Sequence, residues 1–289
     1  MKTEMVWINC ENLRLYGELH IPDHVPAPAL LICHGMNAHG FHTIKIYQKL
    51  AKKACENGFV TLLFDFRGVG KSLGNFDYGF GEQKDVKCAI NYLASRTEVI
   101  SDKIFVLGHS LGGAVSLYSV QNDNRIKGLI LWSTPNNHDY NVKKFITRTR
   151  GKSGLYWFLL FSWIDKLFDT SKLFKLEVFG IKLRPKNVRE KLMKLNECEA
   201  VTKLGAIPLL VVIGDADVLV GVEEARQVFE LAKEPKTFLI IDGGDHIYGG
   251  KEETVITETL NWIKSGNKIA MAEQTRMWRS LQVKSLPQA

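Results

Sequence analysis

The chain has 289 residues, 45% hydrophobic and 24% charged, a globular composition that excludes global disorder and supplies ample material for a core. Its formal net charge of +7 raises nucleic acid, anionic membranes and acidic ligands as partners. The charge is local, however: residues 141–205 hold 15 Lys and Arg against 6 Asp and Glu, leaving 23 basic and 25 acidic residues elsewhere. The molecule as a whole is therefore not built around a polyanion.

In chain order, Met5–Ile8 and Leu13–Ile21 read as two strands around a turn at Asn9–Asn12, an antiparallel hairpin. Ala29–Cys33 is a short apolar run, and Ile44–Asn57 has helical spacing. Phe59–Phe64 is again apolar, and Glu82–Ser95 again helical. Ile104–Leu107, the helix-like Leu111–Gln121 and the apolar Gly128–Trp132 continue the rhythm. After a gap come Leu209–Ile213, Val222–Lys233, Thr237–Ile241 and Glu252–Lys264. Short apolar runs alternating with helical stretches predict an α/β fold, a mostly parallel central sheet with helices on both faces.

The alternation breaks between Pro135 and Ala206. This helical, basic stretch rejoins the rhythm on both sides, so it reads as an insertion over the sheet. The expected organisation is a core domain of residues 1–135 and 206–265, a lid of residues 136–205, and a tail of residues 266–289 without strong periodicity. The N-terminus has no apolar stretch of signal-peptide type, and no run of about 18 apolar residues occurs. A cytoplasmic protein without a transmembrane helix is expected. The five cysteines, Cys10, Cys33, Cys55, Cys88 and Cys198, are scattered, with no C-x-x-C pair. They read as reduced, partly buried thiols rather than a disulfide framework or a zinc site.

The strongest local signal is Gly108-His109-Ser110-Leu111-Gly112-Gly113, a G-x-S-x-G pattern between a predicted strand and a predicted helix. A sharp turn there leaves no room for flanking side chains and pushes the serine hydroxyl out at the sheet's C-terminal edge. Serine needs a base. Among eight histidines, His246 follows the last apolar run, past the end of a strand, where an open α/β sheet places its chemistry. His109 lies inside the turn and is expected to point into supporting structure. The orienting acid should fall between Ser110 and His246, just past a strand, and both Asp215 and Asp217 qualify by spacing. An oxyanion hole needs two N–H donors. Leu111, after the serine, and Met36, in the loop His34-Gly35-Met36, are the expected sources, with His34 a structural loop residue.

Taken together, His34-Gly35, the stretch Asp65–Ser72, the Gly108–Gly113 turn, Gly214–Val220 and Gly244–His246 resemble the landmarks of the α/β-hydrolase superfamily, in its order, over about residues 3–264. The resemblance is closest to serine esterases with a lid, of feruloyl esterase-like and monoacylglycerol lipase-like type. It implies the α/β-hydrolase fold and a lid after the sixth strand. The family pattern G-x-x-D-x-x-V picks Asp217 as the triad acid, although Gly221 stands where the family often has proline. Gly70-Lys71-Ser72 could suggest a phosphate loop, but that motif requires glycine where Asp65 stands, so nucleotide binding is rejected.

Within the insertion, Leu155–Phe168 has 11 apolar residues of 14, six of them aromatic: Tyr156, Trp157, Phe158, Phe161, Trp163 and Phe168. As a helix it is apolar nearly all round, which predicts burial on more than one side. It is expected to roof a pocket over Ser110. Tyr156, Trp157, Phe161 and Trp163, with Gly35 and His109 beside the serine, are the candidate lining. The flanking Lys143, Lys144, Arg148, Arg150, Lys152, Lys172, Lys175, Lys182, Arg184 and Lys186 read as a solvated face. Weak contact with an anionic membrane surface is the sharper alternative.

The expected function is hydrolysis of a small-molecule carboxylic ester by Ser110, His246 and Asp217 through an acyl-enzyme, with no metal or organic cofactor and no nucleic acid partner. Amide, peptide or thioester cleavage by the same groups, and a non-catalytic binding protein on the same fold, are the alternatives.

Overall fold

The computed structural model describes residues 1–164, 176–178 and 180–266. β1 (Lys2–Cys10) and β2 (Leu13–Ile21) form the antiparallel hairpin, longer at its first strand than the apolar pattern indicates. Then come β3 (Ala27–Cys33), α1 (Lys45–Glu56), β4 (Val60–Phe64), α2 (Gly81–Ala94), β5 (Val99–His109), α3 (Leu111–Ser119) and β6 (Ile126–Trp132). Between β6 and the next strand of the main sheet lie α4 (His138–Ile164), a small antiparallel pair β7 (Leu176–Val178) and β8 (Ile181–Leu183), α5 (Pro185–Glu190) and α6 (Glu197–Thr202). β9 (Leu209–Gly214), α7 (Val222–Leu231), β10 (Lys236–Ile241) and α8 (Glu252–Lys264) complete the fold.

The main sheet has eight strands in the order β1-β2-β4-β3-β5-β6-β9-β10. β2 is antiparallel to both β1 and β4, and the pairs from β4 through β10 are parallel. Central strands are buried on both faces, so they read as continuous apolar runs rather than alternating ones. In β3, Ala29, Leu31 and Cys33 join one core, whereas Leu30 and Ile32 join the other. The first core is closed by α2, α3, α6 and α7, and the second by α1 and α8. Each fully buried leucine contributes about 1.5–3 kcal/mol, so the sheet holds its strand ends in fixed relation.

One cysteine pair departs from the reduced state expected of all five. Cys10, at the end of β1, is joined to Cys88 on α2 across 78 positions, with Cα atoms 5.5 Å apart; Cys33, Cys55 and Cys198 are free. Spacing rules register cysteines close in sequence, whereas this pair is brought together by α2 packing beside β1.

Candidate active site

The turn between β5 and α3 carries Ser110. Its φ of 54° and ψ of −122° are a conformation that non-glycine residues rarely adopt, held here by packing on both sides. A Cβ on Gly108 would strike the backbone of Gly112 and Gly113, and one on Gly112 would strike the carbonyls of Cys33 and His34. The glycines thus let the turn nest against the β3 loop. α3 begins at Leu111, whose amide has no acceptor among the described residues, nor has that of Met36. A first-turn N–H is free by construction, and both residues line the cavity beside Ser110.

His246, on the loop after β10, places Nε2 3.1 Å from Ser110 Oγ and Nδ1 2.8 Å from Asp217 Oδ2. The other Asp217 oxygen accepts the amides of Leu219 and Val220 at 2.9 and 3.0 Å. Burial by itself would raise the Asp217 carboxyl, but the His246 hydrogen bond and charge, with those amides, hold it below its usual range. Asp215 goes elsewhere: its Oδ1 accepts the Gly243 amide at 2.7 Å and ties the β9 and β10 loops together. The geometry thus separates two aspartates that spacing alone leaves equivalent. Gly221 donates its amide to Glu224 Oε2 at 2.6 Å, a bond that a proline there could not make.

A buried relay supports these loops. The Gly35 amide donates to the Tyr47 hydroxyl at 3.0 Å, and that hydroxyl lies 2.6 Å from His109 Nδ1. His109 Nε2 lies 2.7 Å from the His246 carbonyl oxygen. Burial, with repulsion from His246, pushes the His109 imidazole down to about 3, so it is neutral. With the Tyr47 proton given to Nδ1, Nε2–H donates to the carbonyl. His109 therefore supports the site from beneath and does not line the cavity. Gly35 plays a similar part, since a Cβ there would press on His109 and Ser110. His34 accepts the Phe66 amide at 3.2 Å through Nε2, as a loop residue should. Asp65 accepts the amides of Phe41 and Lys71, closing the loop in which Gly70-Lys71-Ser72 lies.

The cavity over Ser110, about 110 Å³, is not lined by Tyr156, Trp157 or Trp163. Its wall comes from the first half of α4, including Val142, Phe145 and Ile146, from the segment Leu183–Leu192, and from Val218–Val220. α4 is broken at Gly151, with φ 71° and ψ 179°. Beyond that break Tyr156, Trp157 and Trp163 are exposed and do not line the cavity, whereas Phe158 is buried. The expectation of burial on more than one side is thereby corrected for the described part of the stretch: Phe158 is buried and Leu155 packs partly against the core, while the Tyr156, Trp157 and Trp163 rings face out. The Phe161 side chain, Phe168, Lys172, Lys175 and the tail from residue 267 lie outside the described residues. The lining that sequence reading missed has its own signal. His138, Asn141, Val142, Phe145 and Ile146 recur at three and four residues, one helical face, which aromatic density further along obscured. Among the described residues, no group of His, Cys, Asp and Glu is arranged to hold a metal ion, and no helix is long and apolar enough to cross a membrane.

The chain is 26% identical over 194 residues to the uncharacterized protein YfhR of Escherichia coli, a match covering 66% of this chain and 55% of that one. It thus spans about half the length of that relative. It is 24% identical to polyketide transferase ATR5 of Stachybotrys chlorohalonatus, covering 88% of this chain and 94% of the other. The fold is shared with Est1E of Butyrivibrio proteoclasticus, solved with ferulic acid bound, at a TM-score of 0.69 and 22% identity, over 90% of this chain and 98% of that one. The family model described as serine aminopeptidase, S33, matches residues 24–249, from the end of the N-terminal hairpin past His246. On that match, which takes in every strand from β3 onward, the chain belongs to the S33 serine aminopeptidase family of α/β-hydrolases.

Proposed function

We propose that the protein is a serine hydrolase acting on carboxylic esters, with Ser110 as nucleophile, His246 as base and Asp217 as its orienting acid. The observation that carries this reading is the continuous Ser110–His246–Asp217 chain, at 3.1 and 2.8 Å, opening on a largely apolar cavity. Ser110 Oγ attacks the ester carbonyl as its proton passes to His246 Nε2. The Met36 and Leu111 amides hold the oxyanion. The tetrahedral intermediate collapses, and His246 returns the proton to the departing alcohol. Water, deprotonated by His246, then attacks the acyl-serine and releases the acid. Residues 136–205 act as a lid in this reading, because the first half of α4 walls the cavity.

The family's name raises amino-terminal peptide cleavage. A free ammonium group needs an anionic partner, but among the described residues no Asp or Glu side chain lines the cavity, and Lys144 and Arg148 do. This favours esters over aminopeptidase substrates. The polyketide transferase relative favours a second outcome on the same acyl-enzyme, transfer of the acyl group to an acceptor other than water.

The test is a 4-nitrophenyl ester series of increasing acyl length with wild type and Ser110→Ala. Turnover is expected in wild type and a fall of about 10³-fold or more in the variant. No turnover of any ester, or an unchanged variant, would refute the reading.

A further inference from the structure

A second carboxylate–imidazole pair lies at the wall of the cavity over Ser110, its imidazole lining the cavity and its carboxylate buried behind it. His138, the first residue of α4, lines the cavity, and its Nδ1 lies 2.8 Å from Oε1 of Glu197, the first residue of α6. Glu197 is fully buried and His138 is 7% exposed. Neither Glu197 oxygen meets hydrogen-bond geometry with any donor among the described residues, so the short contact with His138 is electrostatic rather than directional.

Asp217 can face a neutral ring because the Leu219 and Val220 amides also hold it, whereas Glu197 accepts no hydrogen bond among the described residues, so a carboxylate there beside a neutral ring would carry an uncompensated charge, which is costly. Two electroneutral arrangements avoid that cost: a carboxylate facing an imidazolium, or a carboxylic acid facing Nδ1. In both, Nε2 of His138 carries a hydrogen. That nitrogen has no partner among the described residues. The pair is not needed to fasten the root of the insertion. There the His138 amide already donates to Leu195 at 3.2 Å, and the Glu197 amide to Asn136 at 3.1 Å.

Two further donors line the cavity. Lys144 is paired with Glu224 at 2.9 Å. Arg148 donates to the Val218 carbonyl at 3.0 Å and has no carboxylate within ion-pair distance among the described residues. With donors in the wall and no acidic side chain lining it among the described residues, we infer that the cavity selects esters whose far end carries a carboxylate, received by His138 Nε2–H and the Arg148 guanidinium. The identity of the scissile bond rests on the ester-hydrolase reading above; the charge preference does not.

The test compares mono-4-nitrophenyl adipate with 4-nitrophenyl hexanoate, which share a chain length and differ in the terminal carboxylate, corrected for spontaneous hydrolysis. Wild type is expected to favour the adipate ester by about tenfold or more in kcat/KM, through KM. His138→Leu and Arg148→Gln should each bring the ratio to within about twofold of one. The ratio cancels any loss of folded protein. A structural role for His138 would lower both esters alike and leave the ratio intact. That outcome, or a wild-type ratio at or below one, overturns the inference. If wild type turns over neither ester, the hydrolase reading fails, and calorimetric binding of monomethyl adipate against methyl hexanoate decides the inference alone. Tighter binding of monomethyl adipate supports it; equal or weaker binding overturns it.

Discussion

His109 Nε2 reaches the carbonyl oxygen of His246 at 2.7 Å, so the residue preceding the candidate nucleophile holds the backbone of the candidate base. Through Tyr47 the same ring is linked to the Gly35 amide, in the loop that presents Met36. Three loops separated in sequence are thereby fixed to one buried imidazole.

This relay makes stability dependent on acid. The folded His109 titrates at about 3, against roughly 6.5 in an unfolded chain. Between those values the unfolded state binds a proton that the folded state refuses. Its contribution is therefore complete above pH 6.5 and is lost as pH falls toward 3, by up to ~1.4 kcal/mol per pH unit. Denaturant unfolding should show wild type losing about 2 kcal/mol more than His109→Gln between pH 7 and pH 5. Identical pH dependence in the two proteins would contradict the relay.

The two aspartates should separate cleanly in kinetics. Asp217→Asn is expected to lower kcat by about 10⁴-fold, because the amide no longer fixes the imidazole tautomer. Asp215→Asn alters a loop hydrogen bond to Gly243 and should cost about 1 kcal/mol of stability with little change in kcat. The reverse order, read from pre-steady-state and steady-state ester turnover, would exchange their roles.

Lining and surface positions of the insertion should also differ. Ile146, 1% exposed and against the cavity, should cost about 2–5 kcal/mol on truncation to alanine. Trp163, 57% exposed, should tolerate Trp163→Ser within about 0.5 kcal/mol. Thermal melts of both variants measure this. A large loss in Trp163→Ser would show that the ring is covered in solution.

The Cys10–Cys88 link closes 78 positions of chain and should contribute about 2–4 kcal/mol. A reductant should lower the Tm of wild type and leave that of Cys88→Ser unmoved. A wild-type Tm indifferent to reductant would mean that the two thiols remain apart.

Local chemistry explains what was readable beforehand. The strand and helix rhythm follows from side-chain periodicity, and α8 matches its predicted limits, Glu252–Lys264. The placement of the candidates Ser110 and His246, one on a strand–turn–helix and one on a post-strand loop, was legible because both are short-range patterns. The aromatic run misled because composition reports apolarity, not direction. Gly151 breaks α4 just ahead of that run, and the chain beyond it turns three large rings outward.

The sequence by itself determined the parallel α/β architecture, the position of the serine turn, and the confinement of the net positive charge to residues 141–205, since each depends on residues near one another along the chain. Only tertiary structure supplied the contact of Asp217, rather than Asp215, with His246, the His109 relay, the Cys10–Cys88 pair, and the cavity wall with His138 facing Glu197. Those relationships join residues from 2.6 to 5.5 Å apart in space and as many as 137 positions apart in sequence. Loops of opposite ends of the chain meet only once the sheet has set its strand order, and no local pattern encodes that meeting.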